Sequence, residues 1–150
     1  MQDSQLIFSD GQNITANATT VDSTNVIDLG NMLDHKGTAL NSFGPENGED
    51  RLVISIGVAP SAGTGIQVEM HDCATVGGTY KATGVGLNDA VPNATLVAGY
   101  EMLNVPLPRG LREFLKLVFT TTGNHTGSLG TVNARIERGA TTKNQTPYRA

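Results

Sequence analysis

The stretch that decides the fold is Arg51-Leu52-Val53-Ile54-Ser55-Ile56-Gly57-Val58. Every even-numbered residue in it is a large aliphatic, and these four side chains share one face. The odd-numbered residues, which include an arginine, a serine and a glycine, share the other. Successive side chains of a β-strand point to opposite faces, so the alternation predicts a strand with one face in a core.

The same alternation recurs in four further segments. They are Ile66 to Asp72, Glu101 to Leu107, Phe114 to Thr121 and Thr131 to Glu137. Strands with one apolar and one polar face are typical of antiparallel sheets that share a core. The predicted core comprises Leu52, Ile54, Ile56, Val68, Met70, Val105, Leu117, Phe119, Val132 and Ile136.

Weaker strand patterns lie at 6–8, 26–29, 79–85 and 95–97, joined by turns rich in Gly, Pro and Asn. The two segments with some helical character, 32–40 and 111–117, are short, and the second alternates as a strand from Leu115. Eight or nine short strands predict an all-β fold, an antiparallel β-sandwich, and a jelly roll is the commonest way to close that number.

The chain has 150 residues, which predicts one domain, 1–150. Three segments are expected outside its core: 9–25, within an N-terminal arm region of residues 1–25; the acidic turn cluster 41–50; and a polar C-terminal tail, 139–150. Arm and tail are expected to become ordered only against a partner, because neither has enough apolar surface to offset its ordering cost.

The charge balance limits the partners. Fourteen Asp and Glu against ten Lys and Arg give a formal charge of −4, which argues against nucleic acid, since phosphate binding needs a cationic face. The single cysteine excludes an internal disulfide. A polar N-terminus and the lack of a long apolar run predict a protein made without export and without a membrane span.

Candidate chemistry is sparse. Glu69 and His71 have the i, i+2 spacing of ligands on one strand face, but a metal site needs more ligands. The run His71-Asp72-Cys73 contains residue types that occur in catalytic sites. Adjacent residues of a strand point to opposite faces, however, so Asp72 cannot orient His71 as a base. Glu46, Glu49 and Asp50 are oxygen ligands suited to Ca²⁺, yet a charged turn explains them. We therefore expect no enzyme activity, no metal and no cofactor.

The opening of the chain carries a family resemblance. Leu6-Ile7-Phe8-Ser9-Asp10-Gly11-Gln12, a Thr/Ala/Asn run and Ser23-Thr24-Asn25-Val26-Ile27-Asp28-Leu29-Gly30 form the pattern LxFSDxQ…T…STNVIDLG. This pattern resembles the start of the jelly-roll cement (decoration) proteins of tailed bacteriophages, of the Bordetella-phage type. Beyond residue 30 the likeness is one of strand rhythm.

The resemblance implies a structural protein of the virion, synthesised in the bacterial cytoplasm and bound to the outer surface of an HK97-fold capsid. Its implied partners are the major capsid protein, whose neighbouring subunits it would bridge, and copies of itself in a dimer or trimer. The interface residues we expect are Leu6, Ile7, Phe8, Asn25, Val26, Ile27, Pro147, Tyr148 and Arg149.

Two other classes of function remain open from the sequence. A glycan- or receptor-binding β-sandwich of a virion, in a tail fibre or on the head, would have the same fold. Sugar sites usually use aromatic platforms, and the chain has no Trp and three Tyr. A cupin-like enzyme would need clustered His and Glu on inward faces, whereas only the Glu69/His71 pair is present.

Overall fold

A computed structural model describes residues 6–14, 20–29, 50–108, 110–125 and 127–137, and these residues form ten β-strands and no helix. The strands are β1 (Ile7–Asn13), β2 (Thr20–Asp22), β3 (Ile27–Asp28), β4 (Arg51–Val58), β5 (Gly65–Cys73), β6 (Lys81–Gly86), β7 (Val91–Pro92), β8 (Glu101–Pro106), β9 (Phe114–Thr122) and β10 (Thr131–Glu137).

The strands form two antiparallel sheets. The first sheet has the order β1-β10-β4-β8, and the second has the order β2-β9-β5-β6. In the second sheet β3 also pairs with β9, and β7 also pairs with β5. Because β2 and β3 contact different parts of the same side of β9, they act as one interrupted edge strand, and β6 and β7 act likewise along β5.

One hydrophobic core lies between the two sheets and takes side chains from both. Of the ten predicted core residues, nine are at most 3% exposed, and Val105 is half-buried and packs against the rest. The prediction of an all-β protein with antiparallel sheets around a shared core is therefore confirmed. In β5 and β9 the predicted alternation of buried and outward-facing residues is present, because these two strands pair without any register shift along nine residues.

Strand β8 departs from simple alternation. Its neighbours Met102 and Leu103 are both buried in the core. The register between β4 and β8 jumps at this point, from Ile54 opposite Leu103 to Ser55 opposite Glu101, so Met102 is an extra residue. A β-bulge of this kind leaves one residue unpaired and re-aims its side chain, which explains how two adjacent residues face the core.

The expectation that the whole of 9–25 lies outside the core is wrong. β1 continues to Asn13, Ile14 is fully buried in the core, and β2 pairs with β9, although most other described residues of this segment are exposed. The extension of the predicted strand at 6–8 was missed because two register shifts interrupt the pairing of β1 with β10, and Gly11 at φ 59° lies within them. These irregularities break the period of two on which the sequence argument depended. Residues 1–5 and 15–19 lie outside the described residues.

The predicted strand at 95–97 is also wrong. The segment is a turn in which Thr95 N donates to Pro92 O and Leu96 N donates to Asn93 O. The strand that pairs with β5 here is β7, at Val91–Pro92. Leu96 is fully buried because the turn packs onto the core. The apolar residues at 95–97, which suggested a strand, are therefore explained by the burial of this turn. The segments 32–40, 41–49 and 139–150 lie outside the described residues.

Candidate functional site

The family-like stretch at the start of the chain closes one side of the sandwich. Asn25 N donates to Phe8 O at 2.9 Å, and the Asn25 side chain donates to Ile7 O at 3.1 Å. Gln12 Nε2 donates to Asp22 O at 2.7 Å, and Gln12 Oε1 accepts from Thr24 N at 2.9 Å. These bonds join β1, at the edge of the first sheet, to the β2–β3 edge of the second. We call this surface the closed edge.

The structure divides the expected interface residues into two groups. Leu6, Phe8 and Ile27 belong to the core, at 6%, 0% and 1% exposure, so their side chains form no external contact surface. Ile7 is half-buried, Asn25 is exposed and Val26 is 48% exposed, and all three lie on the closed edge. Pro147, Tyr148 and Arg149 lie outside the described residues. Among the described residues of the expected interface, Ile7, Asn25 and Val26 are therefore those that remain candidates for an external contact.

Glu69 and His71 lie where their spacing predicted, side by side on the outer face of β5. His71 Nε2 is 3.4 Å from Glu69 Oε2, and both side chains are partly exposed. Among the residues that the structure describes, no group of three or more His, Cys, Asp or Glu side chains is placed to hold a metal ion. The pair is therefore explained as a surface contact.

Asp72 faces away from His71 and binds Arg112. Its carboxylate accepts hydrogen bonds from Arg112 N at 3.0 Å and from Arg112 Nε at 2.8 Å, and its carbonyl accepts one from the guanidinium at 2.7 Å. Burial raises the pKa of Asp72, but the hydrogen bonds and the charge of Arg112 outweigh it, so the pKa lies below the ordinary 3.8. The pair ties the β8–β9 connection to the end of β5, and this role is structural.

The Asp72–Arg112 pair predicts a specific acid response. A carboxyl whose pKa is lowered by folding contributes stability above its unfolded pKa, and the contribution is lost as the pH falls through the folded pKa. We expect Asp72→Asn to lower the free energy of unfolding at pH 7, and this difference from the wild type to shrink below pH 3.8. Urea unfolding at several pH values measures it. A difference that stays constant with pH would contradict the assignment.

Cys73, at the end of β5, is shielded from solvent. The thiol is 3% exposed, and its Sγ donates to Thr75 O at 3.2 Å. A Cβ at Gly78 would lie 2.6 Å from this sulfur, so the turn 74–78 packs directly over it. Cys73 thus ends β5 as a buried thiol whose sulfur faces the turn.

His125 is a residue whose position sequence reasoning missed. It follows β9 in a loop, but only 3% of it is exposed. Its Nε2 lies 2.9 Å from Thr122 O, and its ring lies against Gly63 of the β4–β5 connection. The local sequence Gly123-Asn124-His125-Thr126-Gly127 is polar and carries no signal of burial. The ring packs between the β4–β5 and β9–β10 connections.

Two concavities on the described surface could hold a ligand. One, of about 250 Å³, lies on the outer face of the first sheet, and its charged lining residues are Asp10 and Arg135. Arg135 already pairs with Glu137. The other, of about 470 Å³, lies between β6 and the end of β8 and is lined mainly by Val85, Val105 and neighbouring Gly and Pro residues. Neither concavity combines a nucleophile, a base and an orienting group.

The described part of the chain includes no helix long and apolar enough to cross a membrane. No protein-family model and no curated protein matches this sequence.

Proposed function

We propose that this protein is a jelly-roll cement protein, which binds the outside of a tailed-phage capsid and stabilises it by bridging major capsid protein subunits. The observation that carries the proposal is the position of the residues that resemble this family. They form β1 and β3, at the edges of both sheets, and join these sheets along the closed edge.

The strand pairing supports the jelly-roll part of the proposal. Counting β2/β3 and β6/β7 as one strand each gives eight strands, and the first pairs with the last, β1 with β10. The second pairs with the seventh, the third with the sixth and the fourth with the fifth. This is the pairing of one long hairpin wrapped around a core, the plan of an eight-stranded jelly roll, a fold common in viral capsids.

The chemistry of the described surface supports binding by shape. Two pairs of opposite charges lie on that surface, Lys116 with Asp22 and Arg135 with Glu137. A protein bound to two capsid subunits must release both contacts before either subunit leaves. Effective concentration therefore multiplies two modest affinities, and no cofactor is needed.

The closed edge is the surface that we assign to the capsid. It presents the half-buried Ile7 and the exposed Asn25 and Val26, which belong to the family-like stretch. Its backbone is held by the cross-sheet hydrogen bonds of Asn25 and Gln12. A surface that is already ordered loses little conformational entropy on binding.

A capsid assay tests the proposal. Adding the protein to undecorated expanded shells should raise their thermal disruption temperature and saturate at a fixed ratio to the major capsid protein. The reason is mass action, because a ligand that binds the intact shell and not separated subunits stabilises the shell. Light scattering during heating, with binding followed by sedimentation, provides the measurement. Shells that bind the protein and melt at an unchanged temperature would contradict the bridging mechanism.

A surface substitution localises the contact better than a deletion, because removing residues up to Thr24 would also remove Phe8 and Ile14 from the core. We expect Val26→Asp to weaken shell binding about tenfold or more, since it places an unpaired charge in an apolar contact. Val76→Asp is the matched control, at an 83% exposed valine in the β5–β6 connection. Equal binding by both variants would remove the closed edge from the proposal.

A further inference from the structure

Charge is distributed unequally between the two ends of the sandwich. Three connections lie at one end: 59–64 between β4 and β5, 93–100 between β7 and β8, and the described part of 123–130, without residue 126, between β9 and β10. None of them contains Asp, Glu, Lys or Arg, although 16% of the chain is charged. At the opposite end, the β8–β9 connection alone contains Arg109, Arg112 and Glu113. We call the first end the uncharged end.

The described loops of the uncharged end hold one another in place. Thr64 N donates to Thr122 O at 2.8 Å, and Ser61 N donates to Ser128 Oγ at 2.9 Å. Asn93 Nδ2 donates to Ala62 O at 2.6 Å. The ring of His125 fills the space beneath the β4–β5 connection. Three connections thus form one preformed surface, and such a surface binds with a smaller entropic cost than separate mobile loops.

This surface exposes three large aliphatic side chains. Val58, Val97 and Leu129 are 49%, 57% and 67% exposed. Val58 pairs with Thr131, which lies two residues after Leu129. Ile56, two residues before Val58, donates its N–H to Tyr100 O and accepts a hydrogen bond from Gly99 N, so the 97–100 turn lies beside it. The three therefore lie at the ends of the adjacent strands β10, β4 and β8, which span about 10 Å at the usual strand spacing. The row is an apolar strip on an uncharged surface.

We propose that the uncharged end is the surface through which two copies of this chain associate. In an isologous contact each residue near the two-fold axis meets the same residue of its partner, so any charge there would face a like charge. Two copies that each carry −4 repel one another, and the uncharged end is where they approach with the least repulsion. Glu101, at the start of β8, is exposed directly after the 93–100 connection and adds a negative charge beside this end.

Sedimentation equilibrium of the purified protein tests this inference without any capsid. The wild type should show a concentration-dependent dimer. Leu129→Lys should raise the dissociation constant of this dimer about tenfold or more, because two ammonium groups then face each other in an apolar contact. Val97→Lys should act in the same direction. Higher salt should strengthen the dimer, since it screens the repulsion between two copies that each carry a formal charge of −4.

Val76→Lys provides the matched control. It makes the same change at a more exposed valine, 83%, in the β5–β6 connection at the opposite end, and it should leave the dimer unchanged. Unaltered melting temperatures would show that both lysine variants are folded. A wild type that stays monomeric at all concentrations, or a dimer insensitive to Leu129→Lys and Val97→Lys, overturns the inference. The proposed capsid contact at the closed edge stands or falls separately, in the shell assay.

Discussion

Replacing Phe119 with alanine should lower the free energy of unfolding by about 3 to 5 kcal/mol, the range typical of emptying a large aromatic site in a core. Phe119 is fully buried in the middle of β9. It is opposite Val21 on one side and Val68 on the other, so it lies in the interior of the second sheet. Urea unfolding followed by circular dichroism gives the free energy directly.

The neighbouring Val118 provides the control on the same strand. It points to the outer face of the sheet and is only half-buried. Val118→Ala should cost less than about 1 kcal/mol, in the range of substitutions outside a core. Equal losses at the two positions would show that the inward face of β9 has been assigned incorrectly.

Gly63→Ala is expected to have the second largest effect, a loss of about 2 to 5 kcal/mol. Two costs add. Gly63 has φ 91°, a conformation that costs other residues roughly 1 to 2 kcal/mol. A Cβ there would also lie 2.1 Å from Nε2 of His125, and overpacking of this kind costs about 1 to 3 kcal/mol. The buried ring cannot swing away, because the surrounding loops hold it.

Two variants separate these costs. Gly77 has φ 69° and open space around the position of a Cβ, so Gly77→Ala carries the conformational cost alone and should lose roughly 1 to 2 kcal/mol. In a His125→Ala background, Gly63→Ala should lose less than it does in the wild type, because the clash is gone. A double-mutant cycle by urea unfolding measures this coupling. Additive losses would contradict the packing of the ring against Gly63.

The regular strands could be predicted because their alternation survives folding. In β5, β9 and β10 the residues with one parity are all buried, apart from the strand ends. The bounds of β8 were predicted closely, but the burial of both Met102 and Leu103 was not, and the end of β1 was not found. Both strands have bulges that insert extra residues, and the location of a bulge depends on a partner strand about 120 residues away for β1 and about 50 away for β8. A local pattern does not contain that information.

The candidate sites show a similar division. The placement of Glu69 and His71 on one strand face follows from their spacing and was predicted, whereas their contact was not. The partner of Asp72 was not, because Arg112 lies 40 residues away in a connection without regular structure. His125 lies in a loop, yet its burial depends on Gly63 and on hydrogen bonds between loops of different strand pairs.

The sequence by itself determined the class of fold, most of the core and the uncharged composition of three connections, because these follow from residue type and a period of two. Only the tertiary structure decided that those three connections meet at one end, that Leu6 and Phe8 are internal, and that Ile7, Asn25 and Val26 remain at the surface. The physical reason is that a period assigns a side chain to a face, whereas long-range pairing decides which faces and ends come together.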